Sequence, residues 1–190
     1  AADAARILAG FEELDRLARL ETGAIAIEPG ESDLAALVRR TAAQLAPVLD
    51  PADRGLALDL GEAVTMPIAL DPEDAEALVW RVLASLAAAC APGERITVRL
   101  AALVDAGEAA ARLECTLPAA LVRADNLFVA AVPTEDSAIA AGLFGSGFAL
   151  RLARAEARAA GGTLRREGTA VLLILPLLTA HAREPSAERA

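Results

Sequence analysis

The sequence predicts an α/β sandwich, a mixed sheet with helices on one face, preceded by a long amphipathic helix. Apolar spacing switches between helical and strand periods in the order helix, two strands, long helix, two strands, loop, helix, two strands. Hydrophobic residues make up 55% of the 190 positions and aromatic residues only 3%. A chain of this length can bury a sizeable core, and this one must build it from aliphatic contacts. The third observation is the stretch Gly142 to Glu167, in which Gly145 and Gly147 flank Ser146 and feed an Ala/Arg/Leu run that Gly161 and Gly162 end. A flexible turn running into a helix N-terminus is a ready anion site, because free backbone N–H groups and the helix dipole face the incoming charge. A plain helix with a glycine start and a Gly-Gly stop is the competing reading.

Charge narrows the function classes. The net charge of −9 argues against a nucleic-acid or anionic-membrane surface, so neither is expected as a partner. Every basic residue is Arg, and without a Lys a Walker-type phosphate loop is excluded. No apolar run is long enough to span a membrane. The opening AADAARILAG lacks the basic segment of a signal peptide and reads as a cut inside a longer protein. Cys90 and Cys115 fit no metal or redox spacing and are expected to be buried small apolar residues of a cytoplasmic protein. His181 sits in a polar tail expected to fray, which disfavours a catalytic role.

In chain order, residues 3 to 22 form a helix. Ile7, Leu8, Phe11, Leu14, Leu17 and Ala18 share one face, while Glu12, Asp15, Arg16 and Arg19 share the solvent side. The apolar stripe needs a partner, which is missing, intermolecular or supplied by the rest of the domain. Gly23, Pro29 and Gly30 interrupt the chain around an extended AIAI, and Ser32 or Asp33 caps a helix over 33–48 that Pro47 and Pro51 end. GLALDL (55–60) and MPIAL (66–70) read as two strands joined by a turn near Gly61. Asp71 and Pro72 open a long helix to about Cys90, with Leu78, Val79, Val82, Leu83 and Leu86 inward. The strand RITVRLAALV, a turn at 105–108 and the strand AARLECTL follow. A short helix around Leu121 to Val129, the polar loop PTEDSA, the glycine stretch with its helix and two closing strands complete the chain. Arg151, Arg154 and Arg158 recur at helical spacing; they either meet an anion or form a solvated stripe paired with acids such as Glu156.

Three segments, in the right order, resemble the C-terminal part of two-component sensor histidine kinases. FEELDRLARLETGAIAIEPGESDLAALV is similar to the end of that family's dimerisation and phosphotransfer hairpin, with its L-E-x-G turn. LDPEDAEALVWRVLASLAAACAPGERITV is similar to the helix carrying the asparagine box and the strand after it. LFVAAVPTEDSAIAAGLFGSGFALRLARAEARAAGGTLRRE is similar to the F-box, ATP lid and second glycine box. The resemblance implies the kinase-type ATP-binding (Bergerat) fold. It divides the chain into the second helix of a dimerisation hairpin (1–22), a linker (23–33), a kinase-like domain (34–178) and a flexible tail (179–190).

Departures from the family pattern matter for function. An ungapped alignment puts Arg81 and Ser85 at the two box asparagines, one of which holds Mg²⁺ in the family; a one-residue gap puts Ala89 there instead. Serine is a weaker metal ligand than an amide carbonyl, and an arginine repels Mg²⁺. After the strand ending near Cys115 the chain reads CTLPAALVRADN, without the Asp-x-Gly-x-Gly whose aspartate binds adenine. Losing such a hydrogen bond costs about 1.5–3 kcal/mol, or about tenfold to a hundredfold in affinity. In the second box Ala149 and Ala160 replace a glycine and the histidine, while Gly145, Ser146 and Gly147 remain.

The degenerate nucleotide site is therefore Arg81, Ser85, Gly145, Ser146 and Gly147, with no catalytic residue and no metal ligand assigned. No cofactor is expected, and the implied function is a pseudokinase, regulatory or phosphorelay-partner module of a bacterial signalling protein. The alternative is an active catalytic domain that uses ATP and Mg²⁺ to phosphorylate a histidine upstream of residue 1. Implied partners are a second copy, through the bundle face Leu8, Phe11 and Leu14, and a response regulator.

Overall fold

Local signals place each element. The structure, a computed structural model, describes residues 2–61, 65–105, 107–129 and 144–178. The opening helix α1 spans Ala2–Glu21, and the Thr22 hydroxyl donates to the carbonyls of Ala18 (2.8 Å) and Arg19 (3.3 Å) to close its last turn. The two-residue strand β1 (Ser32–Asp33) leads into α2 (Leu34–Leu49), which Asp33 caps by accepting from the Ala35 N–H at 3.0 Å. Pro47 lies inside α2 rather than ending it, and the helix closes into a single 3-10 turn at Asp50–Ala52. Next come β2 (Gly55–Asp59), β3 (Pro67–Ile68) and the long helix α3 (Pro72–Ala88). Asp71 caps α3, and Pro72 at its first position removes an N–H that would have had no helical partner.

The remaining elements are β4 (Arg95–Asp105), β5 (Glu108–Thr116), the short helix α4 (Ala119–Val122), α5 (Gly145–Ala159), β6 (Thr163–Glu167) and β7 (Ala170–Pro176). The main sheet has the order β2-β4-β5-β7-β6, with β2 parallel to β4 and every other pair antiparallel. This mixed sheet is the expected one. The expected pairing of 55–60 with 66–70 is not found: β3 pairs with β1, and Asp33 ties the two together by accepting from Met66 N at 2.9 Å. The AIAI segment forms no strand, and the helix expected over 121–129 is the single turn α4. The loop at 133–138, Ala106 of the expected turn, Gly142 and the tail with His181 lie outside the described residues.

Strand periodicity decides which face of the sheet is covered. Ile96, Val98, Leu100, Leu113, Cys115, Leu164, Val171, Leu173 and Leu175 join residues of α2, α3 and α5 in one apolar core. Leu172 and Ile174 point to the opposite face and are nevertheless buried. Their cross-strand neighbours are Glu114 and Arg165 for Leu172, and Arg112 and Thr163 for Ile174. Long charged side chains laid across an apolar strand cover it with their stems while keeping their heads in water. Gly162 marks where α5 turns back onto the sheet; a Cβ there would collide with the Ile174 carbonyl oxygen.

Candidate functional site

Arg81 reaches its partners because α3 sends its apolar residues the other way. Leu78, Val79, Val82, Leu83 and Leu86 are buried in the core, which turns Asp74 and Arg81, two helical turns apart, toward α1 and α5. The Arg81 guanidinium grips Glu156 of α5 with Nε (3.1 Å) and Nη2 (3.3 Å), and its Nη1 donates to Glu13 of α1 at 3.0 Å. Arg16 of α1 donates from Nε to the same Glu156 carboxylate and from Nη2 to Asp74, both at 2.7 Å. Glu156 is 1% exposed, so two arginines from different helices neutralise one buried carboxylate. The hydrogen bonds are charge-assisted and partly forked, the geometry in which a guanidinium binds a carboxylate best. Burial alone would lower the Arg16 pKa, but its hydrogen bonds and charge contacts with Glu156 and Asp74 raise it above the ordinary value.

Ser85 lies one turn further along α3, 1% exposed. Its hydroxyl donates to the Arg81 carbonyl at 2.6 Å. The pair assigned to the asparagine-box positions is thus a cation held by carboxylates and a hydroxyl turned onto its own helix. These residues do not fit a Mg²⁺ ion. Among the described residues, no group of three or more His, Cys, Asp and Glu side chains is placed to hold a metal.

The α5 N-terminus is arranged differently. Gly145 adopts φ +81°, a left-handed conformation that favours glycine, and among the described residues no non-neighbouring atom lies within 4 Å of where a Cβ would stand. No side chain caps the helix, which leaves its first N–H groups without a side-chain acceptor. Ser146 is fully buried, and its Oγ has no hydrogen-bond partner among the described residues. Gly147 is buried beside it. Phe144 packs on Phe148 with ring centroids 4.9 Å apart. Uncapped N–H groups beside an unpartnered buried hydroxyl fit an oxyanion.

Between these two regions lies the segment after β5. Glu94 accepts from the Ala119 N–H (2.6 Å) at the start of α4 and from the Ala91 N–H (2.9 Å). Arg166 donates to the carbonyls of Val122 (2.8 Å) and Ala124 (2.7 Å) at its end. So anchored, the segment sends Leu121, Leu127 and Phe128 into the core. Cys90 and Cys115 are both buried, and burial pushes each thiol up to about 12.

Two readings of exposure need correction. Arg16 is half-buried in the seam, bonded to the buried Glu156, and does not lie on a free solvent face; Leu17 beside it, 5% exposed, docks the helix on the domain. Glu156 does not serve the stripe of Arg151, Arg154 and Arg158; it faces α1 and α3. Leu8, Phe11 and Leu14 are 60%, 65% and 38% exposed, on the outer side of α1. Neither Glu13 nor Asp74 stood out in sequence, since a charge on an amphipathic helix ordinarily marks its wet side.

Comparison with solved structures places the fold. The chain is similar to the Acinetobacter baumannii histidine kinase AdeS, with 19% identity over 89% of this chain and 77% of that one and a TM-score of 0.55. It is also similar to a histidine kinase from Burkholderia phymatum STM815, at 23% identity over 85% and 76% of the two chains, TM-score 0.53. Full-length ShkA, solved in complex with AMPPNP, gives a TM-score of 0.67 at 19% identity; 92% of this chain matches 36% of that one. No family model matches the chain, and no curated protein matches its sequence. The fold is that of the C-terminal catalytic part of sensor histidine kinases. No helix among the described residues is long and apolar enough to cross a membrane.

Proposed function

We propose that this chain is a histidine-kinase-like module of a two-component signalling protein and works by binding rather than by phosphoryl transfer. One observation carries the reading: Arg81, at one of the two positions where the family pattern has its box asparagines, is locked to Glu156 and Glu13. Phosphoryl transfer rests on positioning and on neutralising phosphate charge with metal and donors. An arginine tied to two carboxylates supplies no metal ligand, and Ser85 directs its only proton at the Arg81 carbonyl. The module is a pseudokinase, regulatory or phosphorelay-partner unit, acting in the cytoplasm of a bacterium. It pairs with a second copy through Leu8, Phe11 and Leu14 and docks a response regulator. Residues 1–22 are the dimerisation helix, 23–33 the linker, 34–178 the kinase-like domain and 179–190 the tail.

A second reading is favoured by the Ser146 hydroxyl and the turn at Gly145, which have no partner and no close neighbour among the described residues. In it the chain is an active catalytic domain that binds ATP at the α5 N-terminus and phosphorylates a histidine upstream. Titration with fluorescent ATP, with and without Mg²⁺, separates the two. The first reading expects no Mg²⁺-dependent binding up to roughly millimolar ATP, a free energy of about −4 kcal/mol. Binding about a thousandfold tighter that depends on Mg²⁺ would establish the second.

A further inference from the structure

The C-terminal turn of α1 and the outer side of α5 enclose a cleft of about 380 Å³ that the proposed function does not use. Arg151, Arg154 and Arg158 line it from α5 and Glu21 from α1, with Ala155 and Ala159 as a floor that leaves room between the long side chains. Spacing of three and four residues brings the guanidiniums to one side of the helix. Glu21 is held by a fork from Arg151, Nε and Nη2 each at 2.9 Å. Among the described residues no carboxylate forms an ion pair with Arg154 or Arg158. Arg154 instead lies over the Phe128 ring, 4.0 Å from its centroid, which fixes its position without neutralising it. Burial, followed by the repulsion of Arg158 and Arg151, lowers the Arg154 pKa.

Three cations facing one carboxylate, in a chain of net charge −9, concentrate positive potential in one concave place. Of the residues of α1 that line the cleft, Leu20 has its carbonyl already engaged by the Gly23 N–H. We infer that this cleft is a binding site for a small oxyanion of the phosphate-ester or pyrophosphate class. Its bound form takes Arg151 from Glu21, so occupancy loosens the last turn of α1 from α5. The cleft runs from Arg151, six residues beyond Gly145 and roughly 9 Å along the helix, to Arg158, thirteen residues and roughly 20 Å along it, so it is centred away from the α5 N-terminus.

Calorimetric titration of the 190-residue chain with inorganic pyrophosphate at low ionic strength tests this. Saturable binding at a single site is expected. Arg158→Gln, at an exposed position where folding is safe, and Arg154→Gln should each weaken it about tenfold, the effect of losing one charge-assisted hydrogen bond. Ser146→Ala should leave it unchanged, and hydrogen exchange in residues 18–22 should speed up with pyrophosphate. Absence of saturation, unchanged affinity in both arginine variants, or loss in Ser146→Ala alone would overturn the site. Binding without faster exchange would overturn the displacement of Glu21. Capture on anionic phospholipid vesicles without pyrophosphate binding would replace the small ligand with a membrane surface.

Discussion

The two sides of α1 invert the usual arrangement of a surface helix. Its outer side shows Ile7, Leu8, Phe11 and Leu14 to solvent, while its inner side places Glu13 and Arg16 against the domain beside Leu17. The inner side works because each charge finds an opposite one: Arg16 meets Asp74 and Glu156, and Glu13 meets Arg81. The outer side, by contrast, presents an apolar stripe that solvation does not favour. A helix face that is apolar yet exposed calls for a second surface, whereas a face that is charged yet docked is already satisfied. The comparison therefore separates what holds α1 to its own chain from what is left for a partner.

Removing the centre of the inner seam should have the largest effect. Glu156→Ala leaves Arg16 and Arg81 facing each other without their shared carboxylate, and breaking a buried pair from one side costs about 3–5 kcal/mol. Urea unfolding would measure that loss; a change under about 1 kcal/mol would mean that the seam is not what secures the helix. Leu17→Ala is expected to cost about 2–3 kcal/mol by opening a cavity under α1, and faster hydrogen exchange along α1 than along α3 would place the damage at that contact. On the outer side, Phe11→Glu should change the stability of the single chain by no more than about 0.5 kcal/mol. The same substitution should abolish self-association in sedimentation equilibrium. A dimer that survives Phe11→Glu would move the interface off this face.

The fold was largely legible because its signals are local. Asp33 and Asp71 cap helices where a short polar residue precedes an apolar period, and the alternation in RITVRLAALV marks a strand whatever it pairs with. Pairing was less legible. Two strand-like runs around Gly61 suggest a hairpin, yet β3 pairs with β1, more than thirty positions earlier, through the same Asp33 that caps α2. The site was half legible. The glycine turn at Gly145 and the substitutions at Arg81 and Ser85 are visible as residues, but their present bonding is not.

Sequence alone determined the composition of the core, the helix boundaries set by caps, the left-handed turn that requires Gly145, and the absence of any lysine. All of these depend on a residue and its near neighbours along the chain. Tertiary structure alone decided that Arg81 binds Glu156, that Arg16 faces inward, and that Arg154 and Arg158 stand without a carboxylate partner among the described residues. The partners in the seam lie from 58 to 140 positions apart. Charge periodicity on one helix says only which residues share a face. Whether that face meets water or an opposite charge depends on which other helix packs against it.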